Sequence, residues 1–374
     1  MATGRNACLL LAAAALLPSA AFAHVKWFAP YIVNAPPAPV TRTLGDPGFW
    51  TALVLVIGFF LATRAIEKTP AGHALSRGLD RSTAAFWSRM DDFMRGVIAC
   101  FFVAVFAVGG VYLTPDLKTS AEWISWTQLA IAAGVFWRQT MPLSALGILG
   151  LWALALREYE FFHLLDYLAL GVAVAAYLIL AASPDEARRS HRFEVLRWGV
   201  AIALMWSSLE KFAYPEWFYP LVVEKPFLTF GLPRDLFIPM AGVAEFTLGF
   251  GLIGTPLVRR LSALSLIVIF TAAVWPFGRI DFVGHALIMA ILIVIATDPT
   301  PRLHMLRPVR ESLSGIPFGL AGALAFFATA YWGLHAGVYG TSTDASATAA
   351  TRPKATHSYQ SEHPHAPSGS DAAP

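Results

Sequence analysis

The sequence predicts an all-α polytopic transmembrane helical bundle of about ten spans. Three observations predict it. Of 374 residues, 56% are hydrophobic and only 14% charged, and the apolar residues fall in blocks too long for the helices of a soluble core. Short charged loops separate those blocks. Arginine and lysine gather in every second loop, a distribution that sets orientation in a membrane. The formal net charge of +3 is spread over these clusters and makes no basic face, so the expected partner is the lipid bilayer and not nucleic acid.

Residues 1–23 read as a secretory signal: Arg5, an apolar stretch from Ala7 to Leu17, then Ala21-Phe22-Ala23 as a small-x-small cleavage site. Cleavage there makes His24 the new terminus, whose α-amine and imidazole Nδ1 together suit Cu(II). A signal must be cut somewhere, so an incidental histidine is the competing reading. Only Cys8 and Cys100 are present, and Cys8 falls in the signal, so a processed chain carries no cysteine pair. In the segment 24–47, Ala35-Pro36-Pro37-Ala38-Pro39 reads as a stiff spacer that holds the terminus away from the first span.

Apolar segments able to cross, or nearly cross, about 30 Å of hydrocarbon lie at 48–65, 96–113, 122–137, 141–156, 161–182, 194–212, 235–254, 260–276, 280–297 and 315–337. An external N-terminus puts the loop with Arg64, Lys68, Arg77, Arg81, Arg89 and Arg95 in the cytoplasm. The same test repeats at Arg138, at Arg188, Arg189, Arg192 and Arg197, at Arg259 and Arg260, and at Arg302, Arg307 and Arg310. All agree with a bacterial-type inner membrane protein whose mature termini are both periplasmic. Residues 339–374 are rich in Ser, Thr, Ala and Pro and read as a disordered tail. Its His357, His363 and His365 are either metal scavengers or chance histidines in a solvated tail.

The segment from Arg197 to Thr297 contains Leu196-Arg197-Trp198-Gly199, Ser208-Leu209-Glu210-Lys211-Phe212, Phe230-Gly231-Leu232-Pro233 and Ala241-Gly242-Val243-Ala244-Glu245. It resembles the DoxX family of four-helix membrane modules. The resemblance covers about a quarter of the chain, and its motifs are short. It implies a link to thiosulfate and quinone redox chemistry and to protection against oxidative stress. Arg197, Lys211 and Glu245 are the matching positions. Residues 95–182 hold four further spans and read as a diverged duplicate, with Gln128 near the place of Glu245 and nothing matching Glu210-Lys211. The organisation is then 48–94 for the first span and its cytoplasmic loop, 95–182 and 183–298 for two parallel four-helix repeats, and 299–338 for a cytoplasmic loop and the last span.

Glu245 falls about ten residues into its span, roughly 15 Å deep at 1.5 Å per residue, so its carboxyl must be protonated or partnered. Gly242 and Gly249 share its helix face and invite close approach by another backbone. Glu160, His163 and Asp166 make one polar stripe at the outer start of their span, and Asp281 with His285 make another. Such stripes suit a metal, a proton relay or a quinone head group, and equally an ordinary wet rim. No Cys-x-x-Cys-His, phosphate-binding glycine loop or His-Glu-x-x-His is present, so haem attachment, nucleotide use and zincin chemistry are not expected. The leading expectation is a redox accessory protein with a quinone or proton site at Glu245, Glu210 and Lys211, served by a periplasmic redox partner. Its rivals are metal handling through His24 and the tail, and a scaffold without chemistry.

Overall fold

The computed structural model describes residues 34–300 and 315–340. Those residues form helices and turns, with one isolated bridge between Val111 and Lys118. The longer helices are α1 (Pro47–Glu67), α2 (Pro70–Trp87), α3 (Met90–Val108), α4 (Glu122–Gly134), α5 (Met141–Ala155) and α6 (Phe161–Ala182). After them come α7 (Arg192–Ser207), α8 (Arg234–Leu252), α9 (Pro256–Phe277), α10 (Arg279–Thr297) and α11 (Gly315–Tyr339).

Each apolar segment read from the sequence contains a helix, yet among the described residues only six helices are long and apolar enough to cross a membrane: α1, α6, α8, α9, α10 and α11. Among the rest, α4 and α5 are short, with 13 and 15 residues. Charges open the other two: Asp91, Asp92 and Arg95 in α3, and Arg192, Glu194 and Arg197 in α7. The presumed cytoplasmic loop after the first span also differs from expectation, because 18 of its residues form α2.

Local chemistry sets where these helices begin. The Asp46 carboxylate accepts the N–H groups of Gly48 at 2.6 Å and Phe49 at 3.3 Å, with Pro47 in the first turn of α1. Thr69 caps α2 through Gly72 N–H at 3.1 Å. The α1–α2 turn is so tight that a Cβ on Gly72 would lie 2.1 Å from the Ile66 carbonyl oxygen.

The helices α3 to α6 pack each on the next, and so do α7 to α10. Helix α6 lies along α7, and α10 returns against α3, which closes a ring. A Cβ added to Gly199 of α7 would sit 2.1 Å from the Ala173 Cβ of α6, so small residues let these two helices meet. Outside the ring, α1 lies on α8 and α9, and α11 lies against α1, α6, α7 and α8.

Polar contacts mark two ends. At the arginine-rich end, Glu67 accepts the Leu257 N–H at 3.0 Å and Arg64 at 2.7 Å. Arg192 grips Asp91 through Nε at 2.6 Å and Nη2 at 2.8 Å, and Arg197 donates to Asp298 at 2.7 Å. At the opposite end the Tyr339 hydroxyl donates to Glu160. There the Ala-Pro-Pro-Ala-Pro segment is not the free spacer expected. Ala38 N–H donates to Ala213 O at 2.8 Å, the Tyr214 hydroxyl to Ala35 O at 3.0 Å, and Trp332 Nε1 to Ala38 O at 2.9 Å. Extended backbone has no internal hydrogen bonds, and these neighbours supply the partners.

Candidate functional site

The site begins where α7 ends. Ser208 and Leu209 turn the chain into a short helix, Glu210–Ala213, which aims Lys211 across at α8. Lys211 Nζ donates to Glu245 Oε2 at 2.6 Å, with both side chains mostly buried. Gly242, three residues before Glu245 on the same face of α8, explains the approach: its missing side chain leaves room for the Phe212 ring at 2.8 Å and the Lys211 Cβ at 3.1 Å. The ammonium also lies 4.9 Å from the centre of the Phe218 ring. The carboxylate that the sequence required to be protonated or partnered is therefore partnered, by a residue 34 positions earlier.

Beside the pair lies a cavity of about 300 Å³ lined by Arg42, Asp46, Lys211, Phe212, Tyr219 and Arg234, among others. Three cations thus face it, each engaged on one side: Arg42 with Glu216 at 2.7 Å, Lys211 with Glu245, and Arg234 over the Tyr219 ring at 4.4 Å. The hydrogen bond to Glu216 raises the Arg42 pKa, so its charge is permanent. Burial holds the Tyr219 hydroxyl above the usual tyrosine range, helped by its hydrogen bond to Asp235, so it stays neutral. The cavity combines an apolar floor of Phe212, Ile238 and Pro239 with a few convergent polar groups, the usual make-up of a small-molecule site.

Asp281 and His285 stand in the same four-helix unit. Asp281 is fully buried, His285 Nδ1 lies 3.0 Å from Asp281 Oδ1, and the imidazole tilts against Phe270 with centroids 5.2 Å apart. Glu210 is buried too.

The first stripe does not join this group. Glu160 is bound by Tyr339, Asp166 accepts from Trp206 Nε1 at 3.0 Å, and His163 stacks on Tyr159 and meets the edge of Tyr167. Three residues on one face thus serve three different neighbours, because the stripe lies at the junction of α6 with α7, α11 and the preceding loop. No set of three or more His, Cys, Asp or Glu side chains among the described residues is arranged to hold a metal ion. His24, His357, His363 and His365 lie outside the described residues.

No family model, curated protein or solved structure matches the chain.

Sequence reasoning missed two polar clusters. Gln128 is fully buried and donates through Nε2 to the carbonyls of Val111 at 2.6 Å and Tyr112 at 2.8 Å, so it anchors a loop and has no counterpart of Lys211. The nearby Glu158 accepts from Tyr112 at 2.7 Å and Thr119 at 2.8 Å. At the arginine-rich end, Asp298 is the hub: it takes Arg197 through Oδ2, Thr300 through Oδ1, and Arg259 and Arg260 through its carbonyl at 2.9 Å each. Asp298-Pro299, just after an apolar run, is the signal the sequence offers for it.

Proposed function

We propose that the chain is a DoxX-like protein of a bacterial-type inner membrane, with a quinone or proton site at the Lys211–Glu245 pair and a working face toward the periplasm. One observation carries this reading: an ion pair of 2.6 Å set among apolar helices and bordering a cavity with aromatic and cationic walls. A carboxylate inside such a bundle is costly to bury, and sites of proton or quinone chemistry are where that cost is commonly met.

In this reading ten helices cross the membrane, the four short or charged ones shielded by their neighbours. The residues 95–182 and 183–298 act as two parallel repeats, a reading supported by the matching order of helix neighbours in the two halves and by the reciprocal α6–α7 and α10–α3 contacts. The arginine-rich end is cytoplasmic by the positive-inside rule, which turns the cavity to the periplasm. There Lys211 Nζ would hold a quinone through one carbonyl oxygen and Glu245 would hold or release a proton beside it, while the quinone would supply the redox chemistry in exchange with a periplasmic redox partner.

The test is binding of a short-tailed ubiquinone analogue to the detergent-purified chain, followed by tryptophan quenching. Lys211→Met is expected to weaken binding about tenfold or more, the value of one charge-assisted hydrogen bond. Glu245→Gln, nearly isosteric, is expected to abolish the pH dependence of binding. Equal binding by wild type and both variants would leave the pair as a structural clasp and sink the proposal.

A further inference from the structure

Among the described residues, α2 is the one long helix that joins two points at the same end of the bundle. Glu67, just before it, holds the first turn of α9 through the Leu257 N–H, and Asp91, just after it, holds Arg192 at the start of α7. Eighteen residues make a rod of about 27 Å at 1.5 Å per residue, so α2 lies across the arginine-rich end.

One face of α2 is fastened to the bundle. Asp80 takes the Arg260 guanidinium, Thr83 Oγ1 meets the Thr297 carbonyl at 3.4 Å, and Trp87 lies on Phe193 with ring centroids 5.1 Å apart. The other face is exposed. Arg77 and Arg81, four residues apart, share one side of it, and Lys68 and Arg89 stand just beyond its two ends, all exposed. On the other flank of the exposed surface, Leu75 is 49% exposed.

The charge balance separates this face from the rest of the end. Arg64, Arg192, Arg197 and Arg260 are each held by a carboxylate. Among the described residues no ion pair engages Lys68, Arg77, Arg81 or Arg89, and the lone acid of α2, Asp80, is taken by Arg260. Four cations, two on α2 and two just beyond its ends, therefore stand without a counter-charge from the described residues, and the helix also offers an apolar flank, the composition of a helix lying in a membrane interface.

We propose that α2 is a membrane-surface helix whose Lys68, Arg77, Arg81 and Arg89 bind the phosphates of anionic lipids in the leaflet from which the arginine-rich end emerges. The inference rests on the bundle spanning a membrane, and it goes beyond the site at Lys211 and Glu245. Cations near an anionic leaflet attract its lipids additively, and salt screens them. An acidic soluble partner would use the charges but leave the Leu75 flank without a role.

The experiment reconstitutes the full chain in vesicles of equal phosphatidylglycerol and phosphatidylcholine, re-extracts it in mild detergent, and measures retained lipid by mass spectrometry. Wild type is expected to keep phosphatidylglycerol at least about fivefold over phosphatidylcholine. Lys68→Gln/Arg77→Gln/Arg81→Gln/Arg89→Gln is expected to bring the ratio close to one, and Arg77→Gln/Arg81→Gln to an intermediate value. Arg157→Gln, an exposed arginine after α5, should leave it unchanged. A wild-type ratio near one, or a ratio the quadruple variant keeps, overturns the inference. Alkaline carbonate extraction separates the two failures: release of wild type from membranes defeats the membrane reading itself, whereas an integral protein without lipid preference defeats this inference alone.

Discussion

Lys211 and Glu245 illustrate what single residues disclose. A glutamate inside an apolar run announces a need for a partner, and a lysine after the preceding span is a natural candidate, but only the fold brings two residues 34 positions apart to 2.6 Å. Lys211→Met strands a mostly buried carboxylate and is expected to cost about 2 kcal/mol, less than a fully buried pair because some solvent reaches both side chains. Lys211→Met/Glu245→Gln should recover part of that loss, and thermal unfolding of the detergent-solubilised variants reads both. Asp298 gave far less away, since its roles depend on three arginines from two other helices. Asp298→Asn leaves Arg197 and Arg259, each almost wholly buried, without their carboxylate, at an expected cost of about 3 kcal/mol. An unfolding temperature within a degree of wild type would show that backbone carbonyls alone satisfy those guanidiniums.

Elements were legible to the extent that apolarity coincides with helix. Residues 161–182 were read at both ends as α6 has them, because Glu160 and Ser183 bound a clean apolar run. The second apolar segment, 96–113, was displaced: α3 starts six residues earlier among charges and stops at Gly109, whose φ of 74° cannot continue a helix. Val111, Tyr112 and Leu113 are apolar, but they belong to a buried loop held by Gln128, a distinction that hydropathy does not register. The segment 194–212 broke at Ser208 for a similar reason, and that break is what aims Lys211. Gly242 ties element to site. Gly242→Leu would push on Phe212 and on the Lys211 Cβ, so it is expected to weaken quinone-analogue binding as much as Lys211→Met while costing about 1–3 kcal/mol of stability. Retained binding in a folded Gly242→Leu protein would mean that the short helix Glu210–Ala213 can shift without disturbing the pair.

At the scale of the whole molecule, the order of the helices carries the argument. The chain leaves Asp46 at one end and reaches Glu67 at the other, and from α3 onward each helix reverses the direction of the one before it. The sequence exposed this alternation through its arginines but gave no view of α2 or of the ring, because both depend on contacts between distant segments. Six helices meet the length and apolarity needed to cross a bilayer on their own; α3, α4, α5 and α7 cross only if their neighbours shield them. Reporter fusions decide between the two counts. Ten crossings put a fusion after Lys118 on the same side as the α1 start and a fusion after Ser190 on the opposite side. If α3, α4 and α5 do not cross, the α3–α4 loop stays on the side where α1 ends, and a fusion after Lys118 reports from the cytoplasm. That outcome would leave Glu158 and its hydrogen-bonded loop away from the periplasm and would remove the basis for treating the two four-helix units as parallel copies. A periplasmic signal after Lys118 with a cytoplasmic one after Ser190 supports the alternating order, and with it the outward cavity beside Lys211.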